Sequence, residues 1–212
     1  MTAVGALAGR DRITAIVLAG GRSSRFGADK LAAELDGRPL LHHALTAVAE
    51  VAESIILVTA PASDPRLPAE LAARIRVVHD PEAFGGPLVG LGAALMHVRT
   101  PTAIVVGGDM PHLVPAVLRR LVGAVEAGYR AAILEVPGRM HPLPMALGAE
   151  PARPAVVAIL GRGGRSLRDL LAALDATVVP APVWLVLDPA AATIVDIDRP
   201  ADLTRFHRRG PS

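Results

Sequence analysis

The sequence lacks several residue types altogether. Its 212 residues include no cysteine, asparagine or glutamine, and its aromatic rings are limited to one tryptophan, one tyrosine and three phenylalanines. Without cysteine there is no disulfide, no thiolate metal site and no cysteine nucleophile. So few aromatics leave no platform on which nucleic-acid bases could stack, and the core must be built from alanine, valine and leucine. We therefore predict no nucleic-acid partner.

Lysine is nearly absent as well. Of the 22 basic side chains, 21 are arginine, and the only lysine is Lys30. An ammonium group is a compact point charge with three rotatable donors, whereas a guanidinium is a wide planar fork, so the two are not interchangeable at a tight phosphate site. Lys30 ends a glycine- and serine-rich segment, L-A-G-G-R-S-S-R-F-G-A-D-K, that begins at Leu18. This position makes it a candidate phosphate ligand.

Long hydrophobic runs are missing too. The most apolar stretch, 178–187, is short and contains two prolines, so no membrane-spanning segment is predicted. Residues 1–12 lack the basic start of a signal peptide and are expected to form a flexible extension, which favours a cytoplasmic protein. With 51% hydrophobic and 20% charged residues, the remainder can bury a core. We predict one domain over 13–207, followed by a basic tail at 208–212.

Short apolar runs alternate with helical patterns along the chain. Strands are predicted over 13–18, 54–59, 75–79, 102–106, 131–136, 142–147 and 192–197. Helices are predicted from Pro39 onward and over 68–74, 87–98, 115–127, 151–160, 165–174 and 200–207. Alternating strands and helices form a mostly parallel sheet covered on both faces, and two successive strands within 130–147 indicate a small antiparallel insertion. The predicted fold is therefore α/β, a Rossmann-like three-layer αβα sandwich.

The glycine-rich segment follows the first predicted strand at its carboxyl end. Ligands of parallel α/β sheets bind at that end, and glycines there let backbone N–H groups approach a phosphate closely. Two common phosphate loops do not fit, since Ala28 follows Gly27 where the Walker pattern needs lysine, and the spacing after Gly20 and Gly21 breaks the dinucleotide fingerprint. An oxidoreductase is therefore disfavoured. Cations at positions 22, 25 and 30 favour an anionic ligand over the alternative, a glycine-rich turn without one.

Aspartates follow two of the predicted strands. Asp109 lies in G-G-D-M-P after the strand 102–106, where its carboxylate would point into the cleft. One hard carboxylate together with substrate phosphates is how proteins usually hold Mg²⁺, and the alternative is that Asp109 caps the next helix. Asp196 and Asp198 alternate along the last predicted strand and so share one side. Because such a pair needs a cation between its members or solvent around them, a metal ligand, a contact with a second substrate and a solvated loop all stay open.

In chain order, these segments resemble the molybdenum cofactor guanylyltransferases, a family of nucleotidyltransferases. The segment 18–30 is similar to the family's signature in loop length and residue order, and D-M-P after a strand is similar to its metal-binding turn. Further segments match in order, namely Asp80 followed by G-P-L-V-G at 86–90, H-P-L-P-M-A-L at 141–147 and G-G-R-S at 163–166. The resemblance implies the fold of nucleotide-diphospho-sugar transferases. It also implies transfer of GMP from GTP to the phosphate of molybdenum-molybdopterin, with release of pyrophosphate.

The resemblance assigns roles to individual residues. It implies catalytic roles for Arg25, Lys30 and Asp109, with Mg²⁺ as the cofactor held by Asp109. The nucleotide-binding residues would be Leu18, Ala19, Gly20, Gly21, Arg22, Ser23, Ser24, Lys30, Asp80 and Asp109. The residues facing the second substrate would be Gly86, Pro87, Arg139, His141, Arg165, Asp196 and Asp198. The alternatives are an ordinary turn at 80–81 and a capped helix start at 163–166.

The implied partners are GTP and the molybdopterin cofactor, with transient contact to cofactor-insertion proteins or target molybdoenzymes. Asp196 and Asp198 depart from the family, whose guanylyltransferases usually carry asparagine at both positions, and are closer to related cytidylyltransferases. Leu-Ala-Gly-Gly at 18–21 instead matches the guanylyl branch. The alternatives are a cytidylyltransferase for the same cofactor, a guanylyltransferase for another phosphorylated acceptor, and a non-catalytic nucleotide-binding protein. Because a phosphate nucleophile is already ionised, no general base is required, and His141 is expected to be dispensable.

Overall fold

A seven-stranded sheet forms the centre of the computed structural model, which describes residues 9–20, 30–61, 63–81, 85–138 and 141–202. The strands are β1 (Ile13–Ala19), β2 (Glu34–Leu35), β3 (Arg38–Pro39), β4 (Ser54–Thr59), β5 (Ile75–His79), β6 (Thr102–Gly107), β7 (Ala131–Leu134), β8 (Met145–Gly148) and β9 (Thr177–Val179). β2 and β3 form a separate antiparallel hairpin. The other seven lie in the order β5-β4-β1-β6-β8-β7-β9.

The strands of this sheet are parallel except for β8. β1 pairs in parallel with β4 and β6, so that Ile16 lies opposite Ile56 and Val105. β8 runs antiparallel to β6 and β7, and β9 is parallel to β7. Every residue of β6 is buried, as expected for a central strand covered on both faces. The predicted mostly parallel sheet and its antiparallel insertion are confirmed.

Helices cover both faces of the sheet. They are α1 (Leu40–Ala49), α2 (Pro87–Leu95), α3 (Pro115–Glu126), α4 (Ala149–Gly161), α5 (Leu167–Ala173) and α6 (Ala181–Trp184). On one face, Leu45 of α1 and Leu121 of α3 share a core with Val17, and on the other, Leu91 of α2 shares a core with Ile16. Burial of one such side chain contributes about 1.5–3 kcal/mol, so alternate residues of the central strands hold three layers together. Within the described ranges, no helix is both long and apolar enough to cross a bilayer.

The segment 192–197 does not form the predicted late strand. It is a 3₁₀ helix (Ala192–Ile194) followed by chain outside the sheet. The cause lies upstream, because the Asp188 carboxylate accepts hydrogen bonds from the backbone N–H groups of Ala192 and Thr193, at 3.0 and 2.7 Å. Local side-chain bonds of this kind compete with strand pairing for the same donors. The edge of the sheet is occupied instead by β9, which the sequence analysis does not predict.

Other short elements also differ from the prediction. The predicted helix at 68–74 is reduced to a 3₁₀ helix (Ala72–Arg74), because a few residues nucleate an α-helix poorly. Strands of two residues, such as β2 and β3, are too short to show a period. Within the predicted extension, a 3₁₀ helix (Arg10–Arg12) is docked by Arg10, which donates a hydrogen bond to the carbonyl oxygen of Ala49. Residues 200–202 are helical, at the start of the predicted closing helix. Residues 1–8 and the basic tail lie outside the described residues. The predicted limits of the domain therefore stay predictions.

Candidate active site

A pocket of about 410 Å³ opens at the carboxyl edge of the sheet, where β1, β4 and β6 end. It is lined by Leu18, Gly20, Val58, Asp80, Gly86, Pro87, Gly90, Gly107, Asp109 and Leu143. Leu18, Gly20, Asp80 and Asp109 are predicted nucleotide-binding residues, and Ala19, another of that set, ends β1 between the first two. The structure therefore brings together residues that are far apart in the sequence. Their roles stay predictions.

Lys30 connects this pocket to the C-terminal part of the chain. Its side chain is only 10% exposed, and Nζ donates hydrogen bonds to Asp109 Oδ2 at 2.8 Å and to Asp198 Oδ1 at 2.9 Å. Charge-assisted bonds of this length belong to the strong class of hydrogen bonds. We refer to Lys30, Asp109 and Asp198 as the lysine–carboxylate cluster. One ammonium group thus holds two carboxylates at the edge of the pocket.

The cluster keeps Lys30 charged. Burial on its own lowers the pKa of the Lys30 ammonium, but the hydrogen bonds and negative charges of Asp109 and Asp198 outweigh burial and raise that pKa above its ordinary value of 10.5. An ammonium group whose pKa lies above 10.5 is fully protonated at neutral pH. Lys30 can therefore offer a permanent positive charge and N–H donors to an anion, and it cannot act as a base at neutral pH.

Asp109 reaches the cluster because residue 107 is glycine. The Asp109 side chain lies against the end of β6, where a Cβ at Gly107 would come within 2.4 Å of Asp109 Oδ1. The turn is closed by the Met110 N–H, which donates to the carbonyl oxygen of Gly107 at 3.4 Å. Helix α3 begins at Pro115 with Val114 as its N-cap and has no side-chain cap bond. Asp109 therefore does not cap the next helix, which removes that alternative.

The C-terminal segment brings Asp198, but not Asp196, to the cluster. The Ile197 N–H donates to the backbone carbonyl oxygen of Asp109 at 3.0 Å, and the Ile197 side chain is buried with Leu35 and Leu40. These contacts set Asp198 beside Asp109. Both Asp196 and Asp198 are exposed, but the Asp198 side chain, 53% exposed, is bonded to Lys30. The prediction that both carboxylates face one side depended on a strand that is not formed. The negative charge of Asp198 is therefore stabilised by the neighbouring Lys30 ammonium, and that of Asp196 by solvent.

Asp80 is buried beside the start of α2. It follows β5, its N–H donates to the carbonyl oxygen of Thr59 at 2.8 Å, and the residue is 8% exposed. A Cβ at Gly90 would lie 3.4 Å from Asp80 Oδ2 and 2.9 Å from Val58 Cγ1, so glycine at that position lets the helix approach the carboxylate. In an ordinary Asp-Pro turn the aspartate side chain would lie in solvent. Here the carboxylate is buried in the wall of the pocket, which is uncommon for aspartate.

A second, more open pocket of about 460 Å³ adjoins the first, and the two share Gly86 and Pro87. Its other lining residues are Pro142, Arg165, Ser166, Leu167 and Arg168. The Ser166 hydroxyl accepts a hydrogen bond from the Arg168 N–H at 3.1 Å and caps α5, which confirms the capped helix start. Gly86, Pro87 and Arg165, all predicted to face the second substrate, therefore lie together.

His141 supports the loop beside these pockets. Its Nδ1 is hydrogen-bonded to the carbonyl oxygen of Leu143, so this nitrogen carries the proton. Leu143 in turn lines the first pocket. The observed bond gives His141 a structural task in shaping the pocket wall.

Some of the predicted site residues lie in parts of the chain that the structure does not describe. Gly21, Arg22, Ser23, Ser24, Arg25 and Arg139 lie outside the described residues. Conversely, the sequence analysis misses Val58, Gly107 and Leu143 as pocket residues. Val58 could have been found because it stands near the carboxyl end of a strand, and Gly107 because it stands two residues before an aspartate. Leu143 lies within the segment 141–147 that resembles the family, but nothing in the sequence marks it individually as a pocket residue.

The fold and this site define an α/β protein with a charged pocket at the carboxyl edge of a mostly parallel sheet, the edge at which such proteins bind their ligands. Comparison with known families narrows the class. The sequence model of the MobA-like NTP transferase domain matches residues 15–178, and the chain therefore belongs to the MobA-like NTP transferase family. The predicted family, and with it the nucleotidyltransferase class, is confirmed.

Individual proteins of known sequence or structure are similar to this chain over most of their length. A probable molybdenum cofactor guanylyltransferase from Chloroflexus aggregans is 32% identical over 203 residues, which cover 90% of this chain and 91% of that protein. The molybdenum cofactor guanylyltransferase from Rhizobium leguminosarum bv. trifolii is 32% identical over 215 residues, covering 94% of each. The crystal structure of molybdopterin-guanine dinucleotide biosynthesis protein A from Archaeoglobus fulgidus aligns with a TM-score of 0.75 at 24% identity, over 92% of this chain and 97% of that one. This last likeness confirms the fold.

Replacing Gly107 by alanine should impair the site more than the fold. The new methyl group would displace the Asp109 carboxylate, the movable end of a side chain, so we expect pyrophosphate release from a nucleoside triphosphate to fall about tenfold or more. Thermal unfolding should change far less. Gly123→Ala is the matched control, because a Cβ there meets nothing within 4 Å. Full activity of Gly107→Ala would show that the position of Asp109 does not matter.

The pH dependence of stability should report the charge of Lys30. Because its folded-state pKa is raised, the stabilisation that this charge gives is complete below the unfolded pKa and is lost as pH rises through the folded pKa. The difference in free energy of unfolding between wild type and Lys30→Met should stay constant from neutral pH to about pH 10 and shrink above it. Urea denaturation at a series of pH values measures this difference. If it shrank already near pH 8, burial would dominate over the two carboxylates.

Proposed function

We propose that this protein transfers GMP from GTP to the terminal phosphate of molybdenum-molybdopterin and releases pyrophosphate. The observation that carries the proposal is the lysine–carboxylate cluster at the edge of the 410 Å³ pocket, in a chain of the MobA-like NTP transferase family. Two relatives that match at least 90% of the chain are named as molybdenum cofactor guanylyltransferases, one of them as probable. We place the reaction in the cytoplasm.

The first pocket suits the nucleoside part of the nucleotide. Leu18, Val58 and Leu143 give it apolar walls, and glycines at positions 20, 90 and 107 let a flat ligand approach the backbone. Its volume falls in the range of small-molecule sites, and Asp80 and Asp109 supply the few polar groups that orient such ligands. The triphosphate would then extend toward the cluster, next to the glycine-rich segment.

Lys30 has the properties that a leaving pyrophosphate requires. Its ammonium is charged at neutral pH and is nearly buried, so its field is less screened than that of an exposed side chain. Phosphoryl and nucleotidyl transfer depend mainly on positioning and on neutralising developing negative charge. Lys30, together with Arg25 as the resemblance implies, would stabilise the charge that accumulates on pyrophosphate.

The cluster also fits Mg²⁺ as a cofactor. Asp109 and Asp198 are hard oxygen donors that already converge on one cation, the ammonium of Lys30, and Mg²⁺ is commonly held by one or two carboxylates plus substrate phosphates. Among the residues that the structure describes, no three acidic or histidine side chains are grouped to hold a metal ion. The phosphates of the nucleotide would therefore have to complete the coordination. When bound, the ion would neutralise phosphate charge and polarise the phosphoryl oxygens.

The second pocket is the proposed acceptor site. It shares Gly86 and Pro87 with the first, so a phosphate bound near Arg165 could approach the α-phosphorus of a nucleotide in the first pocket. Holding the two reactants side by side supplies a large part of the rate enhancement. Delivery of the product to cofactor-insertion proteins or target molybdoenzymes belongs to the same proposal.

Nucleotide binding tests the proposal. With Mg²⁺ present we expect GTP to bind more tightly than CTP or ATP, and Lys30→Ala to weaken GTP binding by about tenfold or more, because a charge-assisted bond to phosphate is lost. Lys30→Arg keeps the charge but not the shape and should stay impaired. Isothermal titration calorimetry and pyrophosphate release measure both steps. Preferred binding of CTP would move the protein to the cytidylyl alternative, and triphosphate binding without pyrophosphate release would make it a binding protein.

Loss of the His141 imidazole should not abolish the reaction. The acceptor phosphate is already ionised, and the observed role of His141 is its bond to Leu143. We expect His141→Ala to retain turnover within about tenfold of wild type, with the main effect on KM, since the pocket wall is less well held. Steady-state kinetics with GTP measure it. A variant without residual turnover would make His141 the general base.

A further inference from the structure

The segment 188–198 is bound along the loop that carries Asp109. Two hydrogen bonds connect them, one from the Val114 N–H to Thr193 Oγ1 and one from the Ile197 N–H to the carbonyl oxygen of Asp109, each 3.0 Å long. These two bonds attach the segment to the loop at both of the loop's ends, residues 109 and 114. Asp198 follows directly after the second of these contacts.

Asp188 fixes the shape of this segment. It is 4% exposed, and its two carboxylate oxygens accept separate hydrogen bonds, Oδ1 from the Ala192 N–H and Oδ2 from the Thr193 N–H. Burying a carboxylate is costly unless its oxygens are bonded in this way. The pair of bonds folds the chain into the 3₁₀ helix (Ala192–Ile194) and sets the orientation of Thr193.

Thr193 transmits that geometry to the active-site loop. The residue is fully buried, and its hydroxyl accepts from Val114, the N-cap residue of α3, whose N–H has no carbonyl partner earlier in the helix. A single hydroxyl therefore satisfies a helix-end donor and joins the two segments. Four residues further on, Ile197 is fully buried as well, which leaves Asp198 little freedom of position at its backbone.

We propose that Asp188 and Thr193 are positioning residues for the transferase reaction, acting through Asp198, which they hold opposite Asp109 for Lys30 and the metal-bound triphosphate. This inference rests on the proposed function for its catalytic meaning. The match to the family model ends at residue 178, and the family resemblance assigns no role to Asp188 or Thr193. The contacts run from Asp188 to Thr193 and from Thr193 to Val114, at one end of the loop. At its other end, Asp109 is bonded to Ile197, the residue before Asp198.

The lone lysine provides a direct test that needs no substrate. In protein labelled with [¹³Cε]lysine, Lys30 gives the only lysine signal in the NMR spectrum, since position 30 holds the only lysine. At fixed neutral pH, Asp198→Asn defines the shift caused by losing one carboxylate. We expect Thr193→Val, which removes the hydroxyl at nearly constant size, to shift the signal in the same direction, and Thr193→Ser to restore it.

Thr14→Val is the matched control for the loss of a buried hydroxyl. Thr14 is 2% exposed, and its Oγ1 is hydrogen-bonded to Ser54 Oγ at 3.0 Å and Thr100 Oγ1 at 2.8 Å, at the amino end of β1, away from the site. This variant should lose stability and leave the Lys30 signal in place. If Thr193→Val does not fold, Asp188→Asn, which keeps one acceptor oxygen, takes its place.

Activity measurements give the second arm of the test. In pyrophosphate release with saturating GTP, we expect Thr193→Val to raise the Mg²⁺ concentration needed for half-maximal rate by about tenfold, the effect typical of residues that orient a metal ligand. In the Asp198→Asn background, Thr193→Val should add little further loss, because both changes act through one carboxylate.

An unmoved Lys30 signal in a folded Thr193→Val or Asp188→Asn protein would overturn the inference, as would losses that add in full to those of Asp198→Asn. Either result would leave Thr193 with a role in stability alone. A shifted signal in a protein that releases no pyrophosphate from any triphosphate would have a different meaning. It would confirm the contact chain and refute the transferase function.

Discussion

The ammonium group of Lys30 between two carboxylates is the interaction on which the site depends. Asp109 and Asp198 each lie within 3 Å of its Nζ, and without a cation their like charges would repel one another. The three residues come from the start, middle and end of the chain. The site therefore exists only when these distant segments are docked, and its geometry reflects the packing of the whole domain.

The sheet makes that docking possible. β1 and β6 are parallel neighbours, and their ladder continues past the strand ends, where the Gly108 N–H donates to the carbonyl oxygen of Leu18 at 2.9 Å. The first residues of the glycine-rich segment, Leu18 to Gly20, and the Asp109 turn consequently lie side by side at the edge of the sheet. This is the common arrangement of open α/β sheets, whose loops at the carboxyl edge carry function while buried strands hold them in place.

The sequence predicted those parts that depend on long apolar runs or on a local motif. The buried strands, the three layers and the antiparallel insertion belong to this group. The family resemblance also assigned Lys30 and Asp109 to one site, without predicting that they are in contact. The prediction of a strand at 192–197 was wrong. The β-branched residues of this segment favour a strand, but its conformation is set by hydrogen bonds to Asp188, a few positions upstream. The meeting of Asp198 with Lys30 could not be predicted either, since 168 positions separate them and no periodicity reports such a contact.

The sheet and the site are completed at different points of the chain. The last strand of the sheet that the structure describes, β9, ends at Val179. Every strand of that sheet, together with Lys30 and Asp109, is therefore encoded before residue 180, whereas the third member of the cluster follows later in the chain. A polypeptide shortened after β9 would keep all of these strands but lose Asp198. The strands of the sheet and the complete charged centre are thus encoded by different stretches of the chain, and only the charged centre needs the C-terminal segment.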